Sequence, residues 1–427
     1  MRQPSSEQED GDTPKPHGRA LRRVVTLPWL VLYGVGSTVG AGIYVLTGVV
    51  AGRVGMQAPF AFLLAALLAL FTALSFAELS ARFPRAGGAL VYVREGLGRD
   101  WLAVFVGLGT SVAGMVSAAT VCLGFVGYLG ELWTLPPKLV LLAVVALLGL
   151  IAAWGVRESV VAAGLMTLLE VSGLLAILVF GAGHLAELPA RAFEMLPVGL
   201  DPSRWIAVGG SVVLCFYAFL GFEDMVNVAE EVQDVRRVLP RGILWTLGLS
   251  TALYTSVTMV AVLAVSPAEL ADADAPLALV FERSGGSAKL LGLIAMAAMV
   301  NGALIQIVMA SRILFSLARE GPLPGWVGWV HPRTRTPLVA TIGISSAIAL
   351  LALSFPLAGL AAATASIALA IFSLVNLALL ALLRRERARG VAAGRTPIWV
   401  PAVGAIVSVV FLALELVGRL TDRMGAP

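Results

Sequence analysis

Long apolar runs separated by short polar segments dominate this chain. A helix needs roughly 20 apolar residues to cross a bilayer, and eleven runs of suitable length are present. These candidate spans 1 to 11 cover residues 24–50, 57–81, 101–129, 138–154, 160–182, 205–229, 242–265, 288–316, 337–355, 358–383 and 397–418. Uniformly apolar runs do not alternate as the strands of a membrane barrel do. The pattern therefore predicts an all-α integral membrane protein with about 11 transmembrane helices.

Composition and charge agree with a membrane location. Of the 427 residues, 59% are hydrophobic and 13% are charged, whereas soluble domains carry about 25% charged residues. Of the 30 lysines and arginines, 22 fall on segments that would share one side with the N-terminus. Positive loops face the cytoplasm, so we expect a cytoplasmic N-terminus in a multi-pass protein of the cell membrane. The sequence pI of 9.3 then reflects contact with anionic lipid, with no nucleic-acid partner.

Span 1 contains an unusually glycine-rich stretch, Gly34–Tyr44, with the sequence GVGSTVGAGIY. Because every backbone polar group needs a partner in lipid, a glycine-loosened helix is tolerable only when buried or beside a cavity. Broken helices at this depth bind polar solutes in many transporters. The alternative is a packing face of small residues, since Gly36 and Gly40 are four apart.

A break in span 1 would suit a zwitterion. The N–H groups that begin the second half-helix, at Ala41, Gly42 and Ile43, would hold a carboxylate without a cationic side chain. The carbonyl groups of 35–38, which include Ser37 and Thr38, would hold an ammonium group.

Span 6 shows a second interruption, where Gly221 is followed by the acids Glu223 and Asp224. Breaks at corresponding positions of two halves mark a binding site between inverted repeats. The nearby rings of Tyr217 and Phe219 would cover the solute, or they would simply pack against neighbouring helices.

Two acids are candidates for proton coupling. An intramembrane acid is a functional hypothesis by default, and both Glu223 and the mid-span Glu170 qualify. The alternatives are a cap on a half-helix for Glu223 and a structural hydrogen bond for Glu170. Asp224 has the position of a cap.

Enzyme and metal chemistry lack sequence support. His17, His184 and His331 lie far apart, no His/Cys cluster of metal-ligand spacing exists, and no G-x-S-x-G elbow is present. We expect no catalytic residues, no metal and no cofactor.

At four places the chain resembles the amino acid–polyamine–organocation permeases, especially the branch similar to cationic amino acid transporters. These stretches are 34–48 (GVGSTVGAGIYVLTG), 77–92 (AELSARFPRAGGALVY), 216–243 with its GFE element, and 311–324 (SRILFSLAREGPLP). The resemblance implies a leucine-transporter-type fold, a five-plus-five inverted repeat with discontinuous helices 1 and 6. Residues 1–19 are rich in Ser, Glu, Asp, Gln, Pro and Gly, which predicts a disordered cytoplasmic tail. The rest divides into a ten-helix transport core 20–385 and a loop with an additional helix in 386–427.

The resemblance also implies site residues. The substrate carboxylate would lie on Gly40, Ala41 and Gly42, and the break with Tyr217, Ala218, Phe219 and Gly221 would close over the substrate. Glu223 would take part in proton coupling, as in some members.

The chain departs from the family pattern at three points. Glu170 stands where several proton-coupled relatives have a lysine, Ala41 replaces a common hydroxyl residue, and a twelfth helix is absent. Residues 288–310 contain no Ser or Thr, which favours protons over sodium.

The expected function is secondary transport of a neutral or cationic amino acid by alternating access, with proton symport or exchange. A polyamine or organic-cation exchanger and a non-transporting membrane sensor of amino acids remain alternatives. Expected partners are the small solute, protons and the lipid bilayer, and the sequence leaves the oligomeric state open.

Overall fold

The computed structural model describes residues 23, 25–85, 87–154, 160–197, 202–319, 322–334, 336–390 and 396–425. This part of the chain is almost entirely helical, with a single isolated bridge between Val25 and Val232 in place of any strand. The predicted tail 1–19 lies outside it. The all-α prediction is confirmed.

Sixteen α-helices are present among these residues. They are α1 Leu27–Thr38, α2 Ala41–Val54, α3 Ala58–Arg82, α4 Gly88–Leu97, α5 Asp100–Gly130, α6 Pro137–Trp154, α7 Val160–Phe180, α8 Leu188–Arg191, α9 Pro202–Phe219, α10 Val235–Ala264, α11 Pro267–Asp272, α12 Pro276–Arg283, α13 Ala288–Arg319, α14 Leu338–Ser354, α15 Leu357–Ala388 and α16 Trp399–Gly425. A 3₁₀ segment, Phe222–Glu231, follows α9.

Each of the eleven predicted spans contains an α-helix. Within the described ranges, nine helical runs are long and apolar enough to cross a membrane, and α14 is a shorter apolar helix. Span 1 is split into α1 and α2, each too short to cross alone. The exact number of eleven stays a prediction.

Both predicted interruptions are present. Helix α1 ends at Thr38 and α2 begins at Ala41, while α9 ends at Phe219 and the 3₁₀ segment begins at Phe222. Gly221 lies in the second break with a backbone φ of 125°, a conformation that residues with a Cβ rarely adopt. The prediction of discontinuous helices 1 and 6 is confirmed.

Corresponding helices of the two halves pack against each other. The second span of the first half, α3, lies along α10, the second span of the second half. The third spans, α5 and α13, form a similar pair, and α2 packs on α9. This pairing is the arrangement expected of a five-plus-five repeat around a pseudo-two-fold axis.

Four short helices outside the spans, α4, α8, α11 and α12, were not predicted. Helix α4 follows α3 on the face that we call the α4 side, and α11 and α12 lie on the opposite face, the α11 side. The local cause at α11 is a capping box, in which the Ser266 hydroxyl and Glu269 exchange hydrogen bonds with each other's backbone N–H groups. The Ser266 hydroxyl and then the Arg283 guanidinium lower the pKa of Glu269.

Backbone hydrogen bonds on the α4 side join the chain before α1 to the end of the 3₁₀ segment. The Val25 N–H donates to the Glu231 carbonyl at 3.0 Å, and the Gln233 N–H donates to the Val25 carbonyl at 2.9 Å. These bonds fasten the chain before α1 to the end of the 3₁₀ segment.

A buried amide connects three helices in the core. Asn376 of α15 accepts from the Ser75 hydroxyl at 2.6 Å and donates to the Thr72 hydroxyl at 2.9 Å, both on α3. A Cβ on Gly404 of α16 would come within 2.6 Å of the same amide oxygen, so the three helices meet closely here.

We predict that Asn376→Leu lowers the stability of the folded protein by about 1 kcal/mol, since hydrogen bonds between membrane helices average 0.6 kcal/mol and reach 1.7. Thermal unfolding in detergent would measure the loss as a reduced Tm. Ser250→Ala is the control, because the buried Ser250 hydroxyl has no hydrogen-bond partner among the described residues. An unchanged Tm in Asn376→Leu contradicts the assignment.

Candidate functional site

The two breaks touch each other in the middle of the fold. A Cβ on Gly221 would collide with the Ser37 carbonyl and come within 2.8 Å of the Thr38 nitrogen. The Ser37 hydroxyl donates to the Asp224 carboxylate at 3.1 Å, and the Tyr254 hydroxyl donates to the Thr38 carbonyl at 2.8 Å. Carbonyl groups freed at the end of α1 thus find partners from other helices, as burial in a membrane requires.

A cavity of ≈ 40 Å³ lies beside these breaks, and we call it the inner cavity. Its lining combines the loose end of α1 and the start of α2 with side chains from α5, α9 and α13. The lining residues are Ser37, Thr38, Val39, Gly40, Gly42, Ser117, Val121, Tyr217, Leu220, Gly302, Ile305 and Gln306.

The two glycines at the start of α2 have different roles. A Cβ on Gly40 would meet nothing within 4 Å, so this residue borders open space. A Cβ on Gly42 would lie 2.5 Å from the Ala218 Cα and 2.7 Å from its Cβ. Gly40 therefore leaves room for a ligand, and Gly42 allows α2 to pack closely on α9.

A larger cavity of ≈ 590 Å³, the vestibule, adjoins the inner cavity and shares the lining residues Ser117, Leu220, Ile305 and Gln306. Its other walls include Gly87 and Arg94 of the α4 region and Arg312 near the end of α13. The vestibule therefore leads from the breaks towards the α4 side.

The α11 side is closed by aromatic packing. Phe219 contacts Tyr254 at a ring-centroid distance of 5.2 Å, and Phe62 lies 6.2 Å from Tyr254. The Tyr128 hydroxyl donates to the Tyr44 carbonyl at 2.8 Å. All five rings are fully buried. The vestibule thus lies on the α4 side of the breaks, and closely packed rings fill the α11 side.

The structure brings together some of the predicted binding residues and not others. Ser37, Thr38, Gly40, Gly42 and Tyr217 line the inner cavity.

Four of the remaining predicted residues do not line it. Ile43, Ala218 and Phe219 are buried in helix packing, and Gly221 contacts the backbone of Ser37. Ala41 begins α2, and its side chain lies outside the described residues.

Glu170, on α7, lies fully buried behind the first break. Its Oε1 atom accepts from the Asn301 amide at 3.4 Å, and its backbone carbonyl accepts from the Tyr44 hydroxyl at 3.1 Å. The Oε2 atom has no hydrogen-bond partner in the described part of the chain. An ionised carboxylate here would be poorly compensated, which is costly in a membrane interior.

The two acids at the second break, Glu223 and Asp224, make different contacts. The Glu223 Oε2 atom accepts from the Gly221 N–H at 2.8 Å, so Glu223 makes the capping contact that we expected of Asp224. Asp224 bridges to Ser37 across the two breaks. Both acids line the vestibule.

Sequence reasoning missed the wall opposite the breaks. Ser117 of α5 and Gln306 of α13 line both cavities, and the Ser117 hydroxyl lies 3.2 Å from that of Tyr217. The available signal was the presence of polar residues within apolar spans 3 and 8, but nothing in the sequence shows that these two face each other.

Two helices of this membrane protein break at a shared cavity, with the vestibule on one side and close aromatic packing on the other. This is the architecture of a secondary transporter. Residues 26–419 match the sequence profile described as Amino acid permease. The chain belongs to this family, which confirms the resemblance, and it is an amino acid transporter.

Relatives support this assignment. The chain is 28% identical over 396 residues to the branched-chain amino acid permease BcaP of Bacillus subtilis, covering 86% of this chain and 82% of that protein. It is 32% identical over 387 residues to cationic amino acid transporter 3, mitochondrial, of Arabidopsis thaliana, covering 85% of this chain and 63% of the longer plant protein. An uncharacterized transporter of Mycobacterium tuberculosis is 31% identical, covering 91% and 86% of the two chains.

A solved structure shows the same fold. MhsT, in complex with L-phenylalanine, superposes with a TM-score of 0.63 at 16% identity, covering 93% of this chain and 100% of that one.

We predict that Gly42→Ala destabilises the protein by about 1–3 kcal/mol, because the added methyl group overpacks the contact with Ala218. Gly40→Ala is the matched control and should leave the unfolding temperature in detergent unchanged, since its methyl group enters open space. Equal Tm values for the two variants contradict the distinction between these glycines.

Proposed function

We propose that the chain is a secondary active transporter of the cell membrane that binds its amino acid at the paired breaks and moves it by alternating access, coupled to protons. The observation that carries the proposal is the contact of Gly221 with the Ser37–Thr38 backbone beside a cavity that adjoins the vestibule. The sealed α11 side supports an inward-facing state if, as the charge distribution predicts, the α4 side is cytoplasmic.

The end of α1 and the start of α2 offer complementary charges to a zwitterion. The first N–H groups of α2 have no acceptor within their helix, and they carry the positive end of the helix dipole. They border the inner cavity at Gly40 and Gly42. The end of α1, at Ser37 and Thr38, offers carbonyl oxygens and the negative dipole end. A carboxylate and an ammonium group bonded to the same carbon atom would therefore both find partners at this break without any ionised side chain.

Glu170 is the acid best placed to carry the coupling proton. Its side chain is buried against Asn301 of α13, and its Oε2 atom has no partner among the described residues. Tyr44 bonds to its backbone carbonyl, and Tyr254, which bonds to the Thr38 carbonyl, is an electrostatic neighbour of Glu170. A proton on Glu170 would remove the uncompensated charge beside α1. Release of that proton would favour rearrangement of the break, which is how proton binding and solute binding would be linked.

We predict that Gly40→Val lowers amino acid uptake into proteoliposomes at least tenfold, equivalent to about 1.4 kcal/mol of binding free energy, because the larger side chain enters the cavity that the substrate needs. Tm should stay at the wild-type value. Gly209→Val, on α9 where a Cβ would meet nothing within 4 Å, is the control. Wild-type uptake by Gly40→Val contradicts the site.

We predict that Glu170→Gln abolishes the stimulation of uptake by an inwardly directed proton gradient, because the amide cannot gain or lose a proton. Exchange of internal for external amino acid at equal pH should persist. Uptake of labelled substrate with and without the gradient measures the stimulation, and counterflow measures the exchange. Gradient stimulation equal to that of wild type contradicts the role of Glu170.

Glu223→Gln tests which of the two candidate acids, Glu170 or Glu223, couples uptake to protons. Glutamine retains an oxygen that can accept from the Gly221 N–H, so the cap survives and we expect the proton stimulation to survive with it. Loss of stimulation in Glu223→Gln alone would move the coupling role from Glu170 to Glu223.

A further inference from the structure

Gln306 lies where the inner cavity meets the vestibule. It follows Gly302 by one turn of α13, and both residues line the inner cavity. A Cβ on Gly114 of α5 would lie 3.1 Å from the Gln306 Oε1 atom, so the amide rests between the two helices. It makes no hydrogen bond among the described residues and borders both cavities. The amide is therefore free to bond to a solute held at the break.

The inner cavity on one side of this amide has a neutral lining. Two hydroxyl groups, of Ser117 and Tyr217, lie 3.2 Å apart, and the remaining side chains from α5, α9 and α13 in the lining are apolar. Among the described lining residues of the inner cavity there is no Asp, Glu, Lys, Arg or His.

We propose that Gln306 determines side-chain specificity and that the preferred amino acid has a short, uncharged side chain bearing a hydroxyl or amide group. This inference rests on the proposed binding of the main-chain charges at the break. The amide offers both a donor and an acceptor, which matches a hydroxyl or amide group on the substrate. The small volume of ≈ 40 Å³ favours a short side chain.

A cationic side chain held inside the inner cavity would find no counter-charge among the described lining residues. A buried charge that loses its hydration needs a partner of opposite sign. The three acids that line the vestibule, Glu223, Asp224 and Glu231, do not line the inner cavity.

Competition for uptake of labelled serine into proteoliposomes tests the preference. Unlabelled serine and asparagine should compete at least tenfold more strongly than lysine or arginine, and more strongly than leucine. Lysine or arginine competing as well as serine overturns the inference while leaving amino acid transport intact. Failure of serine, alanine, leucine and lysine alike to accumulate overturns the proposed function and the inference together.

Variants at Gln306 test the residue itself. Gln306→Met, of similar length, should lower the competition by serine relative to alanine at least tenfold, because a site that hydrogen-bonds its substrate discriminates strongly by that bond. Gln306→Glu should raise the competition by lysine at least tenfold. An unchanged serine-to-alanine ratio in the first variant, or unchanged lysine competition in the second, overturns the role.

Gln233→Glu is the matched control for added negative charge. Gln233 is exposed on the α4 side and lines neither cavity, so its charge should leave the competition profile at that of wild type. A gain of lysine competition in Gln233→Glu equal to that in Gln306→Glu would assign the effect to surface charge and overturn the inference. Tm values in detergent confirm that each variant is folded before uptake is measured.

Discussion

The need to satisfy backbone groups inside a membrane governs this structure. Helix α1 ends inside the membrane. The peptide groups that lose their helical partners there need hydrogen bonds from the rest of the protein. The fold meets the requirement by bringing the second break against the first, so that Gly221 lies on the Ser37–Thr38 backbone. Tyr254 supplies a hydroxyl to the Thr38 carbonyl. The groups left over, at the start of α2, border the inner cavity.

The proposed site, built from peptide groups, would separate two tasks. The dipole ends would hold the main-chain charges of an amino acid, while the wall formed by Ser117, Tyr217 and Gln306 would distinguish side chains. The buried acid Glu170 stands behind α1 and outside the cavity lining. In the proposed mechanism, a proton on Glu170 would act on the break without competing directly with the solute.

Local sequence was sufficient to locate the breaks, because glycines in span 1 and the Gly221 element leave a strong pattern. It was insufficient to decide which residues near them face the cavity. Ile43 and Phe219 lie in the right stretches yet point into helix packing, since rotation about a helix axis is fixed by tertiary contacts. Gln306 joins the site only because α13 packs along α5, and no local pattern encodes that pairing.

The short pairing of Val25 with the segment around Val232 has a mechanical consequence. Two peptide hydrogen bonds join the residue before α1 to the end of the 3₁₀ segment. A movement of either segment alone would break these bonds. We therefore expect the two segments to tilt together whenever access from the α4 side widens or narrows.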